Sequence, residues 1–355
     1  MKRKVLGLLM CFMMTAMFLT GCNSKKGDSD TKRIGVAMPT KDLQRWNKDG
    51  SNLEEQLTKA GYEVDLQFAS NDIATQVSQI ETMISNGADL LVIASINGDS
   101  LGTVLAQAKE QNIPVIAYDR LLMNSDAVSY YATFDNYKVG KVQGDYIVTA
   151  LDLENAAGPF NLEIFAGDPG DNNAPFFYKG AMDVLNPYID AGKLVIQSGQ
   201  RDFETVATAT WSTENAQSRM ENIISSYYAD GTKLDVVLCS NDSTALGVTN
   251  ALTANYTGTW PVITGQDCDI ANVKNMIDGK QSMSIFKDIR DLASRTVEMV
   301  DAIFNGDKVT VNDTSSYDNG VKVVDTYLCD PVYADANNYK TLLIESGYYT
   351  EDQLK

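Results

Sequence analysis

Polar and charged residues recur at regular positions along this 355-residue chain, each group just after a short apolar run. Lys41, Arg45 and Trp46 follow Ile34–Met38, Asp119 and Arg120 follow Pro114–Tyr118, and Asp171, Asn172 and Asn173 follow Leu162–Ala166. Asn241 and Asp242 come after Val236–Cys239, Asp267 after Val262–Thr264, and Lys287 after Ser282–Phe286. Carboxylates, amides and cations together supply donors and acceptors, as a ligand with several hydroxyls needs, and charge-assisted hydrogen bonds are roughly twice as strong as neutral ones. Trp46, Phe176, Phe177 and Trp211 offer apolar surface to cover the C–H face of a ring and keep water off those bonds. Covalent chemistry is poorly provided for. The chain has no histidine, the usual general base and zinc ligand. No P-loop is present, and Gly167-Asp168-Pro169-Gly170 lacks GxGxxG spacing. An enzyme reading would have to use Asp119, Asp267 or Asp242 as the acid and nucleophile of a glycoside-processing site.

Plainer roles compete at each position taken alone. An Asp or Asn after a strand is a natural helix N-cap or turn former. Asp119-Arg120 can be a structural ion pair, and Trp46 can be core. What favours a site is the number of such residues at one kind of place, because ligands of open parallel sheets bind beyond the carboxyl ends of the strands.

The elements that would position them follow an alternating plan. Strand-like runs at 34–38, 64–68, 89–94 and 114–118 alternate with helix-like periodicity at 46–60, 73–85 and 101–111. The plan repeats with strands at 162–166, 194–198, 236–239 and 262–264 and helices at 174–185, 215–228 and 244–254. A strand at 282–286, a helix at 288–304, a strand at 321–328 and a helix and tail at 337–355 complete it. The fold class is α/β, with two domains built on parallel sheets wrapped by helices.

The N-terminus addresses the chain. Met1-Lys2-Arg3-Lys4 precedes an apolar run from Val5 to Leu19, then Leu19-Thr20-Gly21-Cys22, the pattern of a lipoprotein signal peptide cleaved before Cys22. The run is shorter than the roughly 20 residues of a membrane span. Residues 1–21 are read as the leader, and 22–32 as the lipidated cysteine and a flexible polar linker. Without the three basic residues of the leader, the remaining basic residues face 47 acidic ones, a formal charge near −21 that argues against nucleic acid as a partner. Cys239, Cys268 and Cys329 remain, with no CxxC pair to suggest a disulfide framework or metal cluster.

A wider resemblance rests on Gly35-Val36-Ala37-Met38-Pro39-Thr40-Lys41 with Arg45-Trp46, on Val115-Ile116-Ala117-Tyr118-Asp119-Arg120, and on Tyr130-Tyr131-Ala132-Thr133-Phe134-Asp135-Asn136. Asp171-Asn172-Asn173-Ala174, Gly265-Gln266-Asp267 and Asn319-Gly320-Val321-Lys322-Val323-Val324 extend it. From about Arg33 to its end the chain resembles the sugar-binding receptors of ABC transporters, the type 1 periplasmic binding proteins, and among them the ChvE-type multiple-sugar receptors. Ser240-Asn241-Asp242 is more similar to the xylose-binding receptors. The resemblance implies two Rossmann-like lobes joined by a three-stranded hinge, 33–137 plus 288–318 and 138–287 plus 319–355, closing on a monosaccharide. It implies first-lobe contacts from Arg45, Trp46, Asp119 and Arg120, beside which the strand-end position adds Lys41 as a candidate, and second-lobe contacts from Asn172 or Asn173, Trp211, Asn241 or Asp242, and Asp267. Lys287 would lie near the last crossings. It also implies no cofactor, a monomer, and an ABC permease and ATPase as partners, while the N-terminal pattern implies tethering outside the cytoplasmic membrane through lipid alone. A sensor for a membrane kinase or chemoreceptor is the related alternative. The three cations Arg45, Arg120 and Lys287 would also admit acidic sugars unless Asp119 and Asp267 neutralise them.

Overall fold

The computed structural model describes residues 31–355, so the expected leader, the lipidation site at Cys22 and most of the linker lie outside the described residues. The strands are β1 (Arg33–Met38), β2 (Glu63–Phe68), β3 (Leu90–Ile93), β4 (Val115–Tyr118), β5 (Val128–Phe134), β6 (Phe160–Phe165), β7 (Leu194–Val195), β8 (Val236–Cys239), β9 (Val262–Ile263), β10 (Met283–Phe286), β11 (Thr326–Cys329) and β12 (Val332–Asp335). Six form one sheet in the order β11-β5-β4-β3-β1-β2, with every pair parallel. Its inner strands are buried on both faces, which is why Leu90–Ile93 and Val115–Tyr118 read as unbroken apolar runs. The second sheet runs β7-β6-β8-β9, also parallel, and a parallel bridge from Gln266 to Ile285 leads on to the antiparallel pair β10-β12.

Each sheet carries its own core. In the first lobe Trp46, Leu53 and Leu57 of the helix Gln44–Lys59 pack with Leu292 and Val300 of the helix Ile289–Asn305. In the second lobe the helices Asn136–Ala150 and Ala174–Asp190 approach so closely that a Cβ at Gly140 would lie 1.9 Å from the carbonyl of Phe177. Among the described residues the chain passes between lobes three times: after Phe134, at Lys287-Asp288, and between Cys329 and Val332.

Two features depart from the expectation. The segment 319–355 does not all run with the second lobe: β11 pairs with β5, and the Asn319 amide donates to the carbonyls of Ser125 (2.7 Å) and Leu122 (3.2 Å), so residues up to Cys329 complete the first sheet. The stretch 321–328 is a strand only from Thr326; Val321 and Val323 lie in an exposed turn.

Candidate ligand-binding cleft

The strand ends of both sheets face one narrow cleft, lined by residues of both lobes. Arg45 sits in the first turn of Gln44–Lys59, where the sequence spacing places Asp49 one turn on. Its guanidinium meets three carboxylates: Asp49 through Nε at 3.0 Å, Asp119 through Nη2, and Asp267 of the second lobe through Nη1 at 2.9 Å. The Tyr118 hydroxyl donates to the other oxygen of Asp49 at 2.6 Å. The arginine is thus held from behind while its far edge faces the cleft. Burial pushes the Asp49 carboxyl up to about 6 against the pull of Arg45. Burial acts the same way on Asp119, but Arg45, Lys287 and Arg120 outweigh it and hold that carboxyl below its ordinary value.

Asp119 has a left-handed backbone, φ 58°, an uncommon conformation outside glycine. Its carbonyl receives Tyr131 Oη at 2.6 Å, Asn173 Nδ2 at 2.7 Å and Thr133 Oγ1 at 2.9 Å, which fix the peptide and so the direction of the carboxylate. Trp211 (φ 55°) and Asp267 (φ 100°) share this conformation, so three cleft residues stand in sparsely populated backbone regions. The Trp211 indole lies on the Gly167 backbone, where a Cβ would come within 1.9 Å of the ring. Trp211 Nε1 donates to Asp171 Oδ2 at 3.2 Å, an oxygen also 3.0 Å from Arg120 Nε. Arg120 Nη1 is anchored on the Ser95 carbonyl at 3.0 Å. Asp267 Oδ1 takes both Arg45 and Lys287 (3.0 Å), leaving Oδ2 for a ligand hydroxyl.

Of the residues expected from sequence, the cleft gathers Arg45, Trp46, Asp119, Arg120, Asn173, Trp211, Asn241, Asp267 and Lys287. Three do not line it. Lys41 is exposed in the bend before the helix Gln44–Lys59, with its ammonium 4.9 Å from the Phe68 ring centroid. Asn172 is half-buried at the turn, and its neighbour Asn173 occupies the wall. Asp242 is fully buried beneath the floor, accepting from Gln281 Nε2 (2.9 Å), Ser284 Oγ (2.9 Å) and Asp269 N (2.8 Å). Burial and the charge of Asp269 push its carboxyl up, while the Gln281 amide opposes the shift. Asn241 lines the wall and also caps the helix Asp242–Asn255, its Oδ1 accepting from Thr244 N at 3.0 Å. Phe177 faces the cleft edge-on to Trp211, whereas Phe176 packs on Tyr317.

Asp269 and Ser243 are wall residues that sequence reasoning missed, Gln266 entered it only within Gly265-Gln266-Asp267, and Asp171 had both a strand-end and a helix-cap reading. For Asp171 the signal was present in the Asp-Asn-Asn run and for Gln266 in Gly-Gln-Asp; for Asp269 and Ser243 the pattern held none. Among the described residues no cluster of His, Cys, Asp and Glu has metal-holding geometry, and no helix is long and apolar enough to cross a membrane.

The family model for the periplasmic binding protein domain matches residues 34–308. The chain belongs to the periplasmic binding protein family. It is 50% identical over 331 residues to the multiple sugar-binding periplasmic receptor ChvE of Rhizobium radiobacter, covering 92% of this chain and 93% of that protein. It is 35% identical over 354 residues, the full length of both, to the D-xylose-binding periplasmic protein of Escherichia coli. A solute-binding protein of an ABC transporter from Clostridium phytofermentans, solved with bound β-D-glucose, matches at 76% identity with a TM-score of 0.90 over 91% of this chain and all of the other. These relatives are binding receptors, not enzymes, and the two-lobed α/β architecture is theirs.

Proposed function

We propose that this binding protein captures a neutral monosaccharide in pyranose form, D-glucose or D-xylose first among them, and delivers it to an ABC permease. The observation that carries the choice of a neutral sugar is the charge balance of the cleft. Arg45, Arg120 and Lys287 each already have a carboxylate partner, and Asp119, Asp171, Asp267 and Asp269 together outnumber them. An added carboxylate would meet no free cation, whereas Asp119 and Asp267 each keep a second oxygen ready to accept from neighbouring hydroxyls. Trp46 and Trp211, one from each lobe, give the ring its apolar covers. The glucose-bound relative at 76% identity and the xylose-binding relative support this ligand class.

The leader pattern ending at Cys22 supports export and a lipid tether, with the polar linker holding the lobes off the membrane. Calorimetry with glucose, xylose and galacturonate tests the ligand class: heat from the neutral sugars and none from galacturonate is expected, and tight galacturonate binding would reject the neutral-sugar reading. Cys22→Ser tests the tether, since the variant should leave the membrane fraction; retention there would reject it.

A further inference from the structure

Outside the cleft, one charged group of the first lobe is driven against the second without finding a partner. Lys48, one turn after Arg45 on Gln44–Lys59, sends its ammonium onto the rings of Tyr349 (3.5 Å to the centroid) and Tyr348 (4.3 Å). Both tyrosines belong to the second lobe, packed with Cys268, Val273 and Phe286. The Lys48 Nζ is shut off from solvent and has no hydrogen-bond acceptor. Gln44 crosses the same seam in good order, donating to Tyr349 Oη at 2.8 Å and accepting from Ile270 N at 3.3 Å. By contrast, Lys48 stands at the seam as a buried cation without a hydrogen-bond acceptor.

An ammonium in water has three donors satisfied; here it has none, and an unpaired buried charge costs more than stacking on tyrosine returns. We propose that Lys48 is a spring loaded by lobe closure: hydrated when the lobes are apart and stripped of acceptors when they meet, it biases the empty receptor toward the open form. The inference rests on the sugar-receptor reading only in taking ligand as the cause of closure.

Charged and titratable groups face Lys48 from every side: Asp49 on its own helix, Asp269, Cys268 and the two phenols from the second lobe, and Arg290 from the helix Ile289–Asn305. Burial lowers the Lys48 ammonium to about 8, while the thiol and both phenols are pushed above their ordinary values and burial raises Asp269 only to about 7. Between pH 8 and 9 Lys48 is therefore the group of this seam that titrates. Its closed form holds the proton less firmly than its open form, so sugar affinity should rise with pH across that window.

The test is Lys48→Met, which keeps the stem on the rings and removes the charge. It should tighten glucose and xylose by the same factor, about five- to a hundredfold, abolish the rise in affinity from pH 8 to 9, and make the ligand-free protein more compact in small-angle scattering. Lys48→Gln should move all three in the same direction. Unchanged or weakened affinity would overturn the spring, weakening meaning that Lys48 holds the lobes together instead. If wild type binds no sugar, the functional reading fails on its own, and ligand-free scattering still decides: a more compact Lys48→Met supports the spring, and unchanged dimensions reject it.

Discussion

Asp267 is the residue on which both halves of the cleft converge, since Arg45 of the first lobe and Lys287 of the last crossings share one of its oxygens. Asp267→Ala should weaken sugar binding by roughly tenfold to over a hundredfold, the loss of one or two charged hydrogen bonds at about 1.5–3 kcal/mol each. Lys41→Ala is the comparator; it should leave affinity within about twofold of wild type, and a larger loss in calorimetry would return Lys41 to the site. Asp49 makes a different prediction. Its folded carboxyl, pushed up to about 6, holds a proton more tightly than the unfolded chain does, so its contribution to stability improves as pH falls from about 7 toward 4. Two units of difference amount to about 3 kcal/mol, and urea unfolding at pH 7 and pH 5 should show Asp49→Asn flattening the profile. Below pH 4 the sign reverses for Asp119, whose folded carboxyl is held low by its cations and loses that stabilisation on protonation.

At the scale of elements, strand ends were legible and their surroundings were not. Apolar runs such as 115–118 and 236–239 place Asp119 and Asn241 correctly because buried parallel strands leave little choice of sequence. The strand Val128–Phe134 and the helix Asn136–Ala150 escaped a periodicity reading; the helix alternates Gly140 and Gly144 with polar residues because its inner face meets another helix at backbone distance. Asp242 misled because helix N-terminus and ligand wall use the same residue types, and only burial separates them. Asp269 was beyond reach, since the bridge joining Gln266 to Ile285, which leads this segment past the wall, leaves no mark in spacing. Gly167 carries a prediction here: Gly167→Ala would force the Trp211 indole off its seat. Sugar affinity should fall by about tenfold or more with folding retained, and unchanged affinity and tryptophan emission would show that the ring is free to shift.

For the whole molecule, the ties across the cleft, Arg45 to Asp267, Arg120 to Asp171 and Tyr131 to Asn173, describe the lobes drawn together. Saturating sugar should select this arrangement over an open one, and ligand-bound protein should scatter with a smaller radius of gyration than ligand-free protein. Equal radii would separate binding from closure.

The return of β11 to the first sheet has a consequence in time. A ribosome makes β1 to β5 within the first 134 residues, yet the sheet's outer edge waits for Thr326–Cys329, and the partner of β10 waits for Val332–Asp335. Both lobes remain unfinished until nearly the whole chain exists, with the β5 edge unpaired meanwhile. In a family of exported proteins, a fold that cannot complete early keeps the chain extended for its passage across a membrane.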